Sequence, residues 1–414
     1  MKNKKILIVT HQFLPHVSPR TTRWSLLIDY LVDQGNDITV LSGTRPQASA
    51  KNYKVLYFGN KSISGVINTV RQNSNDSRSS NLKKLIFRIL KHIYRFLFKT
   101  FAWPDYAMFW IFTIYKNKKK IHDDYDIIIS ISLPFTSHVC AYLLTKRLNA
   151  EWYMDIGDPF SLKKFSSENN KFLFSFINRF IEKKYYKNAS KIIFTHKEAS
   201  ELHMKYFDIP ASKVVNGYPI GLIDKNSLSK SINYNYSQKP LKIGYFGIFT
   251  DRVRDPENYL KLVHNFYSYK FEHFWYTNQE SKKFLNKISI NQIHNIYDLV
   301  SRDKATKIML EEMHILLSIG NFNKYQLPSK VIEYISLGKP VLHFAEIKDD
   351  PLYEFEDLFK NFKIINKNTS NEEIDKFLKV FELGEKIVLI PLLLILISIA
   401  IPMAMLCLHY SIVL

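Results

Sequence analysis

The chain has 414 residues, longer than a single hydrophobic core usually organises, and 46% of them are hydrophobic, including 30 Phe and 25 Tyr; a disordered or collagen-like polymer is excluded. With 58 Lys and Arg against 38 Asp and Glu the net charge is +20, a balance that favours polyanionic partners: nucleic acid, anionic lipid headgroups or phosphorylated ligands. Only Cys140 and Cys407 are present, so neither a disulfide framework nor a cysteine zinc site is expected, and a reducing cytoplasm is the simpler setting.

The basic N-terminus is followed by Ile6 to Val9, an apolar run too short for a signal peptide and long enough for a buried strand. Trp24, Leu27, Ile28 and Leu31 then recur at helical spacing within Thr21 to Gln34, Gly35 is placed to stop the helix, and Asp37 to Leu41 reads as the next strand. Strand, helix and strand follow again at Tyr125 to Ile131, Ser137 to Leu148 and Glu151 to Met154, with another strand at Lys191. Between the two groups, residues 62 to 81 are rich in Ser and Asn and read as a loop. Residues 82 to 101 space Lys84, Arg88, Lys91 and Arg95 opposite Leu85, Ile89, Ile93 and Phe96, a basic amphipathic helix suited to an anionic bilayer or to an ordinary solvated surface.

Leu222 to Lys239 is polar and reads as a linker. A second alternating half follows: a strand from Lys242 into Gly247, a helix from Pro256 to Tyr267, a strand at His314 to Ile319, a helix at Pro328 to Ser336 and a strand at Pro340 to Phe344. The predicted fold class is therefore α/β, with two Rossmann-like domains spanning residues 1–221 and 240–385. Ile387 to Cys407 carries no charge and is long enough to cross about 30 Å of hydrocarbon, so residues 387–410 are expected to form an apolar, membrane-inserted or terminal helical tail in spite of Pro391 and Pro402.

In open parallel sheets ligands bind beyond the carboxyl ends of the strands, so chemistry is sought in the turns that follow them. After the first strand, Ser18 and Arg20 open a helix and are suited to an anionic acceptor or phosphate. No GxGxxG accompanies them, which argues against dinucleotide binding. Asp155, Ile156, Gly157, Asp158 and Pro159 end a strand with two carboxylates; Asp158 would orient or deprotonate an acceptor hydroxyl, and it equally suits an Asx turn. His138, after the strand ending near Ser132, is similarly placed, although a lone histidine there also fits a structural role. In the second half, Gly247, Arg252 and Arg254 combine close backbone approach with guanidinium forks for phosphate. Ser329 and Lys330 suit an anion, and Glu333 suits ribose hydroxyls. Asp349 and Asp350 read as a solvated loop, and no acidic cluster of metal-binding type sits on a strand end.

These segments together resemble the family 4-like glycosyltransferases with the GT-B fold. The likeness rests on Phe13 to Trp24 with Gly35 to Val40, on Asp126 to Pro134, on Asp155 to Pro159, on Ala189 to Thr195 with Asn216 and Gly217, and most specifically on Pro328-Ser329-Lys330-Val331-Ile332-Glu333-Tyr334 with Gly338-Lys339-Pro340-Val341. The resemblance implies two domains facing a cleft and transfer of a sugar, with retained configuration, from a nucleotide-diphosphate sugar to a glycan or lipid-linked acceptor. It implies no cofactor and no metal. Gly247, Arg252 or Arg254, Ser329 and Lys330 would hold the donor diphosphate and Glu333 the donor ribose or sugar, while Asp158, His138, Ser18 and Arg20 would serve the acceptor side. A second glutamate found in many members is Tyr325 here. The expected partners are the donor, the acceptor and the anionic cytoplasmic face of a membrane, with no nucleic acid. A nucleotide-sugar epimerase of the same fold and a non-catalytic membrane-binding protein are the alternatives.

Overall fold

The computed structural model describes residues 3–16, 18–46, 52–59, 100–122, 124–163, 168–217, 240–250, 252–266, 271–287, 294–328 and 330–382. These form two compact units, each around one parallel sheet.

Around the first sheet the chain runs β1 (Lys5–Thr10), α1 (Pro19–Asp33), β2 (Asp37–Ser42), β3 (Lys54–Tyr57), α2 (Phe109–Asn117), β4 (Ile127–Ile131), α3 (Thr136–Leu148), β5 (Glu151–Ile156), α4 (Lys171–Asn188), β6 (Lys191–Phe194), α5 (Lys197–Phe207) and β7 (Val214–Asn216). The strand order is β3-β2-β1-β4-β5-β6-β7. The chain builds outward from β1, then returns to set β4 beside it, Ile6 opposite Ile127, so the direction of winding reverses between β1 and β4. Every residue of β4 is buried, because helices cover both faces of a parallel sheet. The helix α1 begins where Ser18 Oγ accepts from Thr21 N at 3.1 Å with Pro19 in the first turn. It buries Trp24, Leu27, Ile28 and Leu31, and Gly35 closes it at φ +84, a left-handed conformation that costs glycine nothing.

The second sheet is built from β8 (Leu241–Phe246), α6 (Glu257–Phe266), β9 (Phe271–Thr277), α7 (Gln279–Lys287), β10 (His294–Asp298), α8 (Arg302–Glu311), β11 (Ile315–Ile319), α9 (Lys330–Ser336), β12 (Val341–Phe344), α10 (Tyr353–Leu358), β13 (Phe362–Ile365) and α11 (Asn371–Glu382). Its order, β10-β9-β8-β11-β12-β13, reverses between β8 and β11. The core on one side of the sheet gathers Tyr245, Phe249, Tyr259, Trp275, Leu317 and Phe344.

Two parallel sheets with helical crossovers agree with the expected fold class. The loop 62–81, most of the basic helix (82–99), the linker 222–239 and the apolar tail 387–410 lie outside the described residues, and among the described residues no helix is long and apolar enough to cross a membrane. One expectation is corrected: Asp350 is not solvated. Its carboxylate is buried, lies 3.2 Å from His343 Nε2 and accepts from Leu352 N at 3.0 Å, while His343 Nδ1 meets Ser318 Oγ at 3.0 Å. Two adjacent acids looked like a surface loop, but one of them satisfies an imidazole and a backbone amide inside the fold.

Gly320 follows β11 where this carboxylate packs. A β-carbon there would stand 2.8 Å from Asp350 Oδ2 and 3.0 Å from Phe344 O. Gly320→Ala is therefore expected to lower unfolding free energy by about 1–3 kcal/mol, read as a shift in the urea midpoint; an unchanged midpoint would show that the turn yields without cost.

Candidate functional site

At the reversal point of the second sheet, the turn after β8 and the loop after β11 are joined. Thr250 and Arg254 pair across the turn, Thr250 N donating to Arg254 O at 3.1 Å, and Phe322 N donates to Val253 O at 2.8 Å. Arg254 donates from Nε and Nη2 to Asn321 Oδ1 at 3.1 and 2.9 Å, so its guanidinium is tied to the β11 loop. Arg252 stands exposed at the turn with φ +58. Gly247 directly follows β8, its amide donating to Tyr276 O at 3.1 Å. The helix α9 is held to the same strand end by Tyr334, whose hydroxyl accepts from Phe246 N at 3.0 Å and faces Phe246 O at 3.2 Å.

On α9, Lys330 Nζ donates to Glu333 Oε2 at 3.2 Å, and Arg302 Nε lies 3.5 Å from Glu333 Oε1. Glu333 thus holds two cations, one from its own helix and one from the start of α8. The Lys330 and Arg302 side chains remain 39% and 34% exposed, enough to meet a ligand. Sequence reading missed Arg302; the signal was a basic residue directly after Ser301 at the end of a short strand. Ser329 lies outside the described residues. Lys339, in the same motif as Lys330, has a different task. It is fully buried, its Nζ donates to Met313 O, and burial pulls its pKa down to about 6.

In the first unit the reversal point gathers α1, the end of β4 and the end of β5. Asp155 is wholly buried: its carboxylate lies 2.9 Å from Arg23 Nη2 and accepts from Trp24 Nε1 at 2.8 Å. This places Asp155 in the interior and leaves Asp158, half-buried in the turn beyond the carboxyl end of β5, as the more accessible of the two carboxylates. Arg20 donates from Nη1 to Leu133 O. Burial lowers its pKa, and the neighbouring Asp158 and Asp155 carboxylates oppose that shift, so Arg20 and Asp158 share one locality. Two glycines make room for these arginines: a β-carbon on Gly157 would lie 3.5 Å from Arg20 Nε, and one on Gly217 would lie 3.3 Å from Arg23 Nη2. Ser18 Oγ caps α1 and lies 2.8 Å from Thr21 Oγ1.

His138 is fully buried on α3, with Nδ1 2.7 Å from Ser130 Oγ, which also accepts from Trp152 Nε1 at 2.8 Å. Its Nε2 has no hydrogen-bond partner among the described residues. Burial, reinforced by the Arg20 charge, lowers its pKa to about 3, so the ring is neutral. At the start of the same helix, buried Asp105 accepts from Thr136 N at 2.8 Å and from Thr136 Oγ1 at 2.7 Å. Among the described residues no group of three His, Cys, Asp or Glu is placed to hold a metal ion.

No protein-family model matches the sequence, and no curated protein sequence matches it. Solved structures do match in fold. A glycosyltransferase from Rickettsia africae ESF-5 is 13% identical, with 97% of this chain and 94% of that one covered and a TM-score of 0.57. Sucrose-phosphate synthase from Thermosynechococcus elongatus is 11% identical, with 98% of each chain covered and a TM-score of 0.61. HepE from Anabaena, solved in complex with UDP-glucose, is 13% identical, with 97% and 100% covered and a TM-score of 0.54. At these identities the likeness is one of fold, the two-sheet GT-B arrangement.

The depressed pKa of His138 fixes the sign of a pH effect. The unfolded chain binds a proton there near pH 6.5 and the fold only near about 3, so this site's stability is complete above 6.5 and is lost as pH falls from 6.5 toward 3. Between about pH 6.5 and about pH 5, wild-type protein should lose roughly 2 kcal/mol more unfolding free energy than His138→Gln. Parallel urea-derived curves for the two proteins would mean that the imidazole keeps its ordinary pKa.

Proposed function

We propose that this chain is a glycosyltransferase that moves a sugar from a nucleotide-diphosphate sugar to a glycan or lipid-linked acceptor, without a metal and with retained configuration. The observation that carries the proposal is the cationic edge at the reversal point of the second sheet, where Lys330 and Arg302 flank Glu333 and Arg254 is anchored on Asn321 beside Arg252. A sugar nucleotide breaks at the bond between the anomeric carbon and the diphosphate, and negative charge grows on the departing oxygens. Cations already held in place stabilise that charge without having to reorganise during the reaction.

In this reading Lys330 and the arginines of the Gly247 turn bind the diphosphate, with Ser329 assigned to the same group. Glu333 restrains its two cations and accepts from ribose or sugar hydroxyls with its remaining lone pairs. A structural neighbour named as a glycosyltransferase, and another solved in complex with UDP-glucose, support the donor class. On the acceptor side Asp158 orients or deprotonates the attacking hydroxyl, Ser18 and Arg20 contact an anionic part of the acceptor, and buried, neutral His138 positions the end of β4 through Ser130.

Titration of the full chain with UDP, GDP, ADP and TDP is expected to give selective binding of one diphosphate, weakened about 10- to 100-fold in Lys330→Ala, the loss of a charge-assisted contact. Undiminished binding by that variant would remove Lys330 from the donor site. Asp158→Asn is expected to bind the same diphosphate normally and to transfer sugar at least about 100-fold more slowly; unimpaired transfer would reduce Asp158 to a turn-capping residue.

A further inference from the structure

The helix α4 carries a face that the sugar-transfer reading does not use. Its inner side is fixed: Asn178, Glu182, Tyr185 and Tyr186 are buried. On the outer side, Phe172, Leu173, Phe176, Ile177 and Phe180 are all solvent-exposed, Phe172 at 94%, Phe176 at 80% and Phe180 at 60%. Residues at spacings of one, four, five and eight share one side of a helix, so these five form a single ridge about two turns long. Isolated exposed apolar residues need no explanation, whereas a contiguous aromatic ridge does.

The charge along this face says what the ridge meets. Beyond the ridge the same outer side continues into exposed Lys183, Lys184 and Lys187, with Arg179 at its margin. The one acid of α4, Glu182, is turned inward, where it accepts from Tyr186 at 2.7 Å. Lys183 has an acidic neighbour, Asp208 at 3.3 Å; Lys184 Nζ and the Arg179 guanidinium each lie 5.6 Å from a ring of the same unit, Tyr142 and Tyr206, while keeping exposed side chains, and Lys187 is exposed in the last turn. A second copy of this chain packed with its α4 parallel to this one would set these cations against their own images, which opposes that mode of self-association. An anionic bilayer satisfies both halves: aromatic and aliphatic side chains enter the headgroup boundary while lysines and arginine meet lipid phosphates.

We propose that α4 lies on the surface of an anionic membrane, with Phe172, Phe176 and Phe180 inserted. The proposal extends the reading of a membrane-borne acceptor, because α4 is tied to the segment that carries Asp158. Ser161, three residues after Asp158, donates from its backbone amide to Glu182 Oε2 at 3.2 Å and from its hydroxyl to the same oxygen. Phe160 stacks on Phe135 at 3.9 Å, and Phe135 stacks on Tyr185 of α4. A bilayer under α4 therefore fixes the distance between the lipid surface and Asp158.

The test is partition of the full chain onto vesicles of phosphatidylglycerol and phosphatidylcholine, and onto phosphatidylcholine alone. The triple variant Phe172→Ser, Phe176→Ser, Phe180→Ser is expected to lose at least about 100-fold in partition onto both compositions. The double variant Lys184→Gln, Lys187→Gln should lose about 30-fold on the anionic vesicles only. Phe176→Trp should gain a blue-shifted emission on anionic vesicles that brominated acyl chains quench. Unchanged partition by the triple variant overturns the proposal, as does a Phe176→Trp emission that vesicles do not alter, and so does a concentration-dependent dimer that the triple variant abolishes. Diphosphate titration separates the two readings: the triple variant binds nucleotide as wild type does, and Lys330→Ala keeps its vesicle partition whether or not the donor-site assignment survives.

Discussion

Adjacent parallel strands cannot be joined by a tight turn, so the chain must cross the sheet with a helix before each return. That constraint sends every strand's carboxyl end to the same edge, and it does so in both sheets. Where the winding reverses, between β1 and β4 and between β8 and β11, the two crossovers leave in opposite directions and the loops between them part. The candidate site residues collect there: Arg20 and Asp158 in the first unit, Arg252, Arg254, Lys330 and Glu333 in the second. Neither group is close in sequence, and the strand order alone unites each.

Charge at these edges is divided between groups buried to hold the fold and groups that keep accessible side chains. Asp155 and Arg23 are spent on each other, since a buried carboxylate without its cation would carry the full cost of desolvation. Lys339 shows the same division inside one motif. Buried against Met313 O with a pKa near about 6, it supports the turn into β12, whereas Lys330, nine residues earlier, keeps an exposed ammonium. Glu333 stands between the two classes: it pairs with Lys330 and Arg302, and this keeps two long flexible cations from wandering.

Fully buried strands were the most legible part of the sequence, because Ile6 to Val9 is an unbroken apolar run and Ile127 to Ile131 and Ile315 to Ile319 are each interrupted by one serine only, the pattern of a sheet covered on both faces. The short edge strand β3 was not legible, since Lys54–Tyr57 is half-exposed and marked only by the brief apolar stretch Val55 to Tyr57. At the site, Lys330 and Glu333 stood out through a motif, while Arg302 did not: its relevance comes from β10 and α8, which bring it to Glu333 across some thirty residues of chain. Asp155 and Asp158 looked equivalent in sequence, and burial alone separates them. The residues 218–239 and 383–414, where the linker and the apolar tail were expected, lie outside the described residues.

The ridge on α4 escaped sequence reading for a related reason. With Phe172, Phe174, Phe176 and Phe180 beside Tyr185 and Tyr186, apolar side chains surround the helix, and periodicity cannot tell which of them the sheet will cover. The fold makes that choice through polar residues. Asn178 accepts from Trp103 Nε1 at 3.0 Å and donates to Asn169 Oδ1 at 2.9 Å, and Glu182 takes the Ser161 and Tyr186 bonds. Buried polar groups must be satisfied, so these bonds fix the rotation of α4 about its axis more tightly than apolar contact, which has no direction, would. Once the rotation is set, Phe172, Phe176 and Phe180 have no place to go but outward. An aromatic face held open in this way costs the protein solubility unless a surface receives it, and the lysines beyond it narrow that surface to one of negative charge.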